Sequence, residues 1–207
     1  MPTKYATRAM WKSGLRTAVA VLALVAGCRY GHMPEPSPRP AAPAPESAAA
    51  VIPDGVSRDD YAYLVGRHIR IPVANAQLAK IPDSFDEPRD GKRLHHAVDI
   101  LAPRGTPVLA ADDGRVLKMR TGGAGGITLY AVDPASRFVY YYAHLDHYRK
   151  GVSEGMTLAR GDTIGFVGTT GNAPRDVPHL HFQIMRLPAD GKWWTGVPVD
   201  PRPLFVE

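Results

Sequence analysis

Seven short runs rich in β-branched and aromatic residues occupy positions 94–185, set apart by turns carrying glycine or proline, with no long helical period among them. The runs fall at 94–100, 106–111, 115–120, 127–132, 138–144, 163–167 and 180–185, and turns such as APRG at 102–105 and TGGAGG at 121–126 separate them. Runs of this length bounded by such turns predict strands. Strand after strand with no intervening helix predicts a mostly β domain built on an antiparallel sheet. Order is expected to begin near residue 54, with a short helix running into a strand over 59–70. At 207 residues and 44% hydrophobic, the chain can build one domain of ordinary size plus extra segments. No internal repeat at solenoid periods is present.

The amino terminus reads as an address. Residues 1–27 hold four basic side chains, Lys4, Arg8, Lys12 and Arg16, and no acidic one. The eleven apolar residues 17–27 that follow are too few to span a bilayer, which needs about 20, but fit the apolar core of a secretory signal. The run ends in Val25-Ala26-Gly27-Cys28, which resembles the bacterial lipobox. That resemblance implies cleavage before Cys28, lipidation of Cys28, and a membrane partner engaged through the amino-terminal lipid. The location implied is the cell envelope; Arg29 after the Cys fits the outer membrane, facing the periplasm, in a Gram-negative source. Residues 33–50 carry six prolines and no large apolar side chain beyond Met33. Such a stretch favours extended polyproline segments at roughly 3 Å per residue, giving a reach from Cys28 on the order of 60 Å. The expected organisation is a signal peptide at 1–27, a lipidated Cys and Pro/Ala-rich tether at 28–53, an extension at 54–90 and the main domain at 91–207.

Charge excludes one class of partner. Taking the four signal lysines and arginines from the 25 basic residues leaves 21 against 20 acidic, a net of +1, so a basic nucleic-acid surface has no support. The single cysteine rules out an intramolecular disulfide and a Cys-based zinc site.

Six of the eight histidines lie between 95 and 181, five of them in HHAVD at 95–99, YYAHLD at 141–146 and PHLHF at 178–182. Side chains alternate faces along a strand, so His179 and His181 point the same way, roughly 7 Å apart. One of them can bind a metal while the other flanks the bound water. His95 and Asp99 share parity, yet four extended residues span roughly 13 Å, too far for one ion with bonds of about 2 Å. The chain must bend between them, and Ala97 requires a bend that tolerates a Cβ. Tyr142 shares parity with His144 and is expected to line a groove together with it. His96 has opposite parity to His95 and is expected not to ligate; His32, His68 and His147 read as tether or surface residues.

These strings resemble metallopeptidase family twenty-three, which includes lysostaphin and LytM. That family is marked by H-x-x-x-D, a later His in a Y-A-H-L-like string, and H-L-H near the end; here they are HHAVD, YAHL at 142–145 and HLH at 179–181. The flanking DILAPRGTPVLAADDGRV (99–116), RGDTIGFVGTTGNA (160–173) and PHLHFQI (178–184) agree, and the resemblance covers roughly residues 80–205. It implies an antiparallel β-sheet domain with a groove, of the lysostaphin and LytM catalytic type. It implies zinc as the cofactor, held by His95, Asp99 and His181, with the fourth position left to water. His144 and His179 would then be catalytic, as general base or acid. The implied activity is a zinc metalloendopeptidase hydrolysing peptide cross-links of bacterial peptidoglycan, with cell-wall amidases or division proteins as further partners. Ala97 in place of the usual Gly, and Gln183 where Glu is frequent, depart from the common pattern. An alternative is a weak or inactive relative that activates a cell-wall amidase; the presence of all five positions argues for an active enzyme. No P-loop and no G-x-G-x-x-G after a strand is present, and TGGAGG fits a turn between strands.

Overall fold

The computed structural model describes residues 52–89, 91 and 93–206. Cys28, the signal segment and most of the tether lie outside the described residues. The described chain opens with α1 (Arg58–Val65), whose first orphan amides are met by Ser57: its hydroxyl accepts from the Asp60 amide at 3.0 Å. The helix runs into β1 (Ile69–Arg70), followed by β2 (Pro88–Arg89) and β3 (Arg93–Leu94), which pair antiparallel. Then come β4 (Val98–Leu101), β5 (Pro107–Leu109), β6 (Gly114–Thr121), β7 (Ile127–Val132) and β8 (Phe138–Tyr148). The remaining strands are β9 (Thr157–Leu158), β10 (Thr163–Val167), β11 (His179–Arg186), β12 (Val197–Val199) and β13 (Phe205–Val206).

Nine of these strands form one antiparallel sheet with a backbone path β12-β11-β8-β7-β6-β9, to which β4, β10 and β5 attach. β11 is the hinge of the arrangement. On one side it pairs with β8; on the other, its first half pairs with β4 and its second half with β12. The register sets His181 opposite Asp99 on β4 and opposite Ala143 on β8. β1 and β13 add a separate parallel pair that ties the beginning of the domain to its end.

The core follows the period-two pattern. Phe138, Tyr140 and Tyr142 from β8 and Leu180, Phe182 and Ile184 from β11 are fully buried on one face. Residues before the main sheet belong to the same cluster: Leu64, Ile69, Ile71, Val73 and Ile81 pack into it. Arg67, just past α1, locks onto the sheet through a two-pronged contact with buried Asp112, Nε to Oδ2 and Nη2 to Oδ1, both 2.8 Å. The Tyr140 hydroxyl donates to the same Oδ2 at 2.7 Å.

Two expected features are corrected. The run 94–100 is not one strand: pairing stops at Leu94 and resumes at Val98, because His96 sits in the left-handed region with φ 56. Tyr142 does not line the groove. It is fully buried, and its hydroxyl accepts from the Ala111 amide at 2.9 Å. The cause is a break in register between β7 and β8, where residues 127–129 face 142–145. His144 takes φ 60 at that point. A bulge inserts one extra residue and reverses the parity downstream. Tyr142 therefore keeps the core side while His144 turns to the groove that Tyr141 lines.

Candidate metal centre and groove

The β4, β8 and β11 strands and the segment before them enclose a groove of about 680 Å³. His95, Asp99, His144, His179 and His181 all line it. The bend that the sequence spacing requires, and a second one it did not announce, are both supplied by histidines. His96 bends the chain between His95 and Asp99, so Ala97 stays in ordinary backbone and is fully buried. His144 bends β8. Left-handed backbone is uncommon for residues with a Cβ, but histidine is among the types enriched there.

Three donor atoms converge. His95 Nε2 lies 3.1 Å from Asp99 Oδ1, His181 Nδ1 lies 3.1 Å from the same oxygen, and the two nitrogens are 3.1 Å apart. Four ligands at zinc–nitrogen and zinc–oxygen bond lengths define a tetrahedron with edges of about 3.3 Å. The observed triangle is close to one face of it. The protonation pattern agrees. His95 Nδ1 donates to the Ser84 carbonyl at 3.0 Å, which leaves the Nε2 lone pair facing the carboxylate oxygen. A lone pair facing a carboxylate oxygen favours a cation between them, and a backbone carbonyl behind a histidine is the usual orienting partner of a metal ligand. Burial opposes charge on Asp99, but the neighbouring His181 and His95 hold its carboxyl far below the usual carboxylate range. Burial also lowers His181, against the pull of Asp99, so its imidazole is neutral and able to ligate. The donor set fits a divalent metal of the zinc type.

Two more histidines stand beside the triangle. The His144 and His179 rings are 4.9 Å apart, and His144 is 5.7 Å from His181. Each is oriented in the same way. His144 Nδ1 donates to the Thr170 carbonyl at 2.8 Å, and His179 Nδ1 to the Val177 carbonyl at 2.9 Å. Their Nε2 atoms are left as acceptors at the groove. Burial pushes His144 down to about 4, with the Thr170 bond opposing, so its imidazole is neutral near pH 7 and free to take a proton.

The spacing of side chains gave no signal for several supports of this site. Thr170 takes part in three bonds: its carbonyl holds His144, its hydroxyl accepts from the Ile127 amide at 2.9 Å and donates to the Leu145 carbonyl at 2.7 Å. The TGGAGG run is a turn between β6 and β7, as expected, but it also carries the Gly125 carbonyl that accepts from the His144 amide at 2.8 Å. His96 stays outside the converging group. His147 is exposed, pairs with Asp146 and stacks on Phe166.

The model of Peptidase family M23 matches residues 93–201, more than half of the chain. The chain belongs to this family. Among M23 relatives, it is 40% identical over 110 residues to the DD-carboxypeptidase/endopeptidase Mpg of Neisseria meningitidis, covering 53% of this chain and 22% of that protein. It is 34% identical over 93 residues to the peptidoglycan DD-endopeptidase ShyC of Vibrio cholerae, covering 45% of this chain and 20% of that one. The chain thus spans about a fifth of the length of these relatives. In structure it is similar to the antimicrobial peptidase lysostaphin from Staphylococcus simulans, with a TM-score of 0.52 and 25% identity over 67% of this chain and 53% of that one. The mostly antiparallel β architecture is that of the M23 catalytic domain.

Proposed function

We propose that this M23 protein is a zinc-dependent endopeptidase that cuts peptide cross-links of bacterial peptidoglycan. The observation that carries the reading is the triangle of His95, Asp99 and His181 donor atoms, open to the groove on the side where His144 and His179 stand. Names of relatives, among them a peptidoglycan DD-endopeptidase, support the substrate class. When bound, zinc supplies a Lewis acid that polarises a carbonyl and acidifies water. His95, Asp99 and His181 would hold it. His144, neutral and anchored by Thr170, accepts the proton of the attacking water at Nε2 and can return it to the leaving amine. His179, anchored by Val177, is placed on the same side with Nε2 as a second acceptor; once it has taken up a proton there it can donate to the developing oxyanion. Tyr141 and Gln183 line the groove next to the triangle and would flank an extended peptide. The lipobox-like string ending in Cys28 and the proline-rich tether support a lipid-anchored protein of the cell envelope, working on the wall at a distance from its membrane.

The test is digestion of purified cross-linked muropeptide dimers, followed by mass spectrometry. Conversion to monomers, abolished by chelation, is expected. Intact dimers accompanied by stimulation of a separate amidase would overturn the reading in favour of a regulator. For the anchor, labelled fatty acid should enter the wild type and not Cys28→Ala; equal labelling of both would refute it.

A further inference from the structure

Strand β2 precedes the residues that match the family, yet its last residue reaches the metal centre. Arg89 Nη2 donates to Asp99 Oδ2 at 2.9 Å. The other carboxylate oxygen, Oδ1, is the one that faces His95 and His181. The two oxygens of Asp99 thus have separate duties: the outer one accepts from arginine and the inner one joins the donor triangle. The placement of Arg89 is not explained by its own needs. Its Nε is buried with no hydrogen-bond partner among the described residues, an arrangement that ordinarily costs stability. The guanidinium also lies 3.4 Å from Glu87 and 3.1 Å from His95 Nδ1, whose proton already goes to Ser84.

The division of the carboxylate has a chemical consequence. A carboxylate free to turn loses that freedom when it ligates a metal, and the loss weakens binding; one already held in the ligating orientation has no such loss to make. We propose that Arg89 is a positioning residue that clamps the outer oxygen of Asp99, so that the inner oxygen is held in the donor triangle before the metal binds. This inference rests on the reading of His95, Asp99 and His181 as the metal site. Its sign is unusual. A cation next to a cation site should weaken metal binding by simple repulsion, so removing Arg89 should tighten zinc if charge alone mattered. If orientation of the ligand dominates, removing Arg89 loosens zinc.

The experiment is competition for zinc between a chromophoric chelator and the full-length protein, comparing wild type, Arg89→Met, Arg89→Gln and Arg89→Lys. Loss of an outer-shell partner typically lowers metal affinity about 10–100-fold, and that loss is expected for Arg89→Met. Gln and Lys can each donate one N–H to Oδ2, the one contact observed, and should recover part of the loss; Lys lacks the planar fork and is not expected to recover all of it. Thermal unfolding of the metal-free proteins checks that each variant folds. Zinc held by Arg89→Met as tightly as, or more tightly than, by the wild type overturns the inference, as does equal weakening in all three folded variants. A wild type that binds no zinc would instead overturn the metal site itself, and because no cleavage is measured, the two failures are distinguishable.

Discussion

Gly126→Ala links the fold to the chemistry most sharply. Gly126 closes the turn between β6 and β7 with φ 68, and a Cβ there would lie 2.4 Å from the Thr170 carbonyl carbon, the Gly171 nitrogen and the Thr170 Oγ1. Two penalties combine. Left-handed backbone costs an L-residue about 1–2 kcal/mol. Forcing a methyl into packed backbone costs about 1–3 kcal/mol more. A loss of about 2–5 kcal/mol follows, a large part of the ordinary total of about 5–15 kcal/mol for a domain. Relief of the clash must come by moving Thr170, and the Thr170 carbonyl is the acceptor that orients His144. Activity should therefore fall by about tenfold or more even where the variant is fully folded, since general acid–base groups contribute about 10²–10⁴-fold. Urea unfolding and muropeptide turnover, measured on one preparation well below the unfolding midpoint, give both numbers. Wild-type stability and wild-type turnover together would refute the argument that this turn is pressed against the Thr170 anchor of His144.

His144→Ala and His179→Ala should keep zinc, measured by metal analysis, and lose most turnover; loss of the metal in either would recast that residue as a ligand. In the metal-free protein, the His144 ring should titrate well below the ordinary histidine value of 6.5, toward about 4, when followed by NMR. Over that window the unfolded chain binds a proton that the folded one does not, so His144 lowers stability as pH falls from about 6.5 to about 4. Titration at or above 6.5 would refute the burial argument. Asp112→Ala should destabilise the fold by about 3–5 kcal/mol in urea unfolding, because Arg67 and buried Tyr140 lose their shared acceptor; a change under about 1 kcal/mol would show that contact to be dispensable.

Much of this protein was legible from its residues. The strands at 127–132 and 163–167 coincide with β7 and β10, and the helix leading into a strand at 59–70 is present as α1 and β1. The five groove residues meet as their motifs implied. What escaped has one physical cause: parity holds only while a strand stays regular. His96 and His144 both leave β geometry with a Cβ in the left-handed region, where no glycine announces the break. The first splits a run into two strands, and the second exchanges Tyr142 for Tyr141 at the groove. Arg89, Thr170 and the Gly125 carbonyl act through hydrogen bonds between different elements, and their residue types carry no spacing signal.

The proposed activity requires that the triangle of His95, Asp99 and His181 hold the metal that does the cutting. The direct measurement is cleavage of a purified cross-linked muropeptide dimer by metal-free protein as zinc is added stepwise. The rate should start at zero, rise with each addition and level off at one zinc per chain, and His181→Ala should show no such plateau at that ratio. Cleavage before any zinc is added, or a dimer left intact at every ratio, would contradict it.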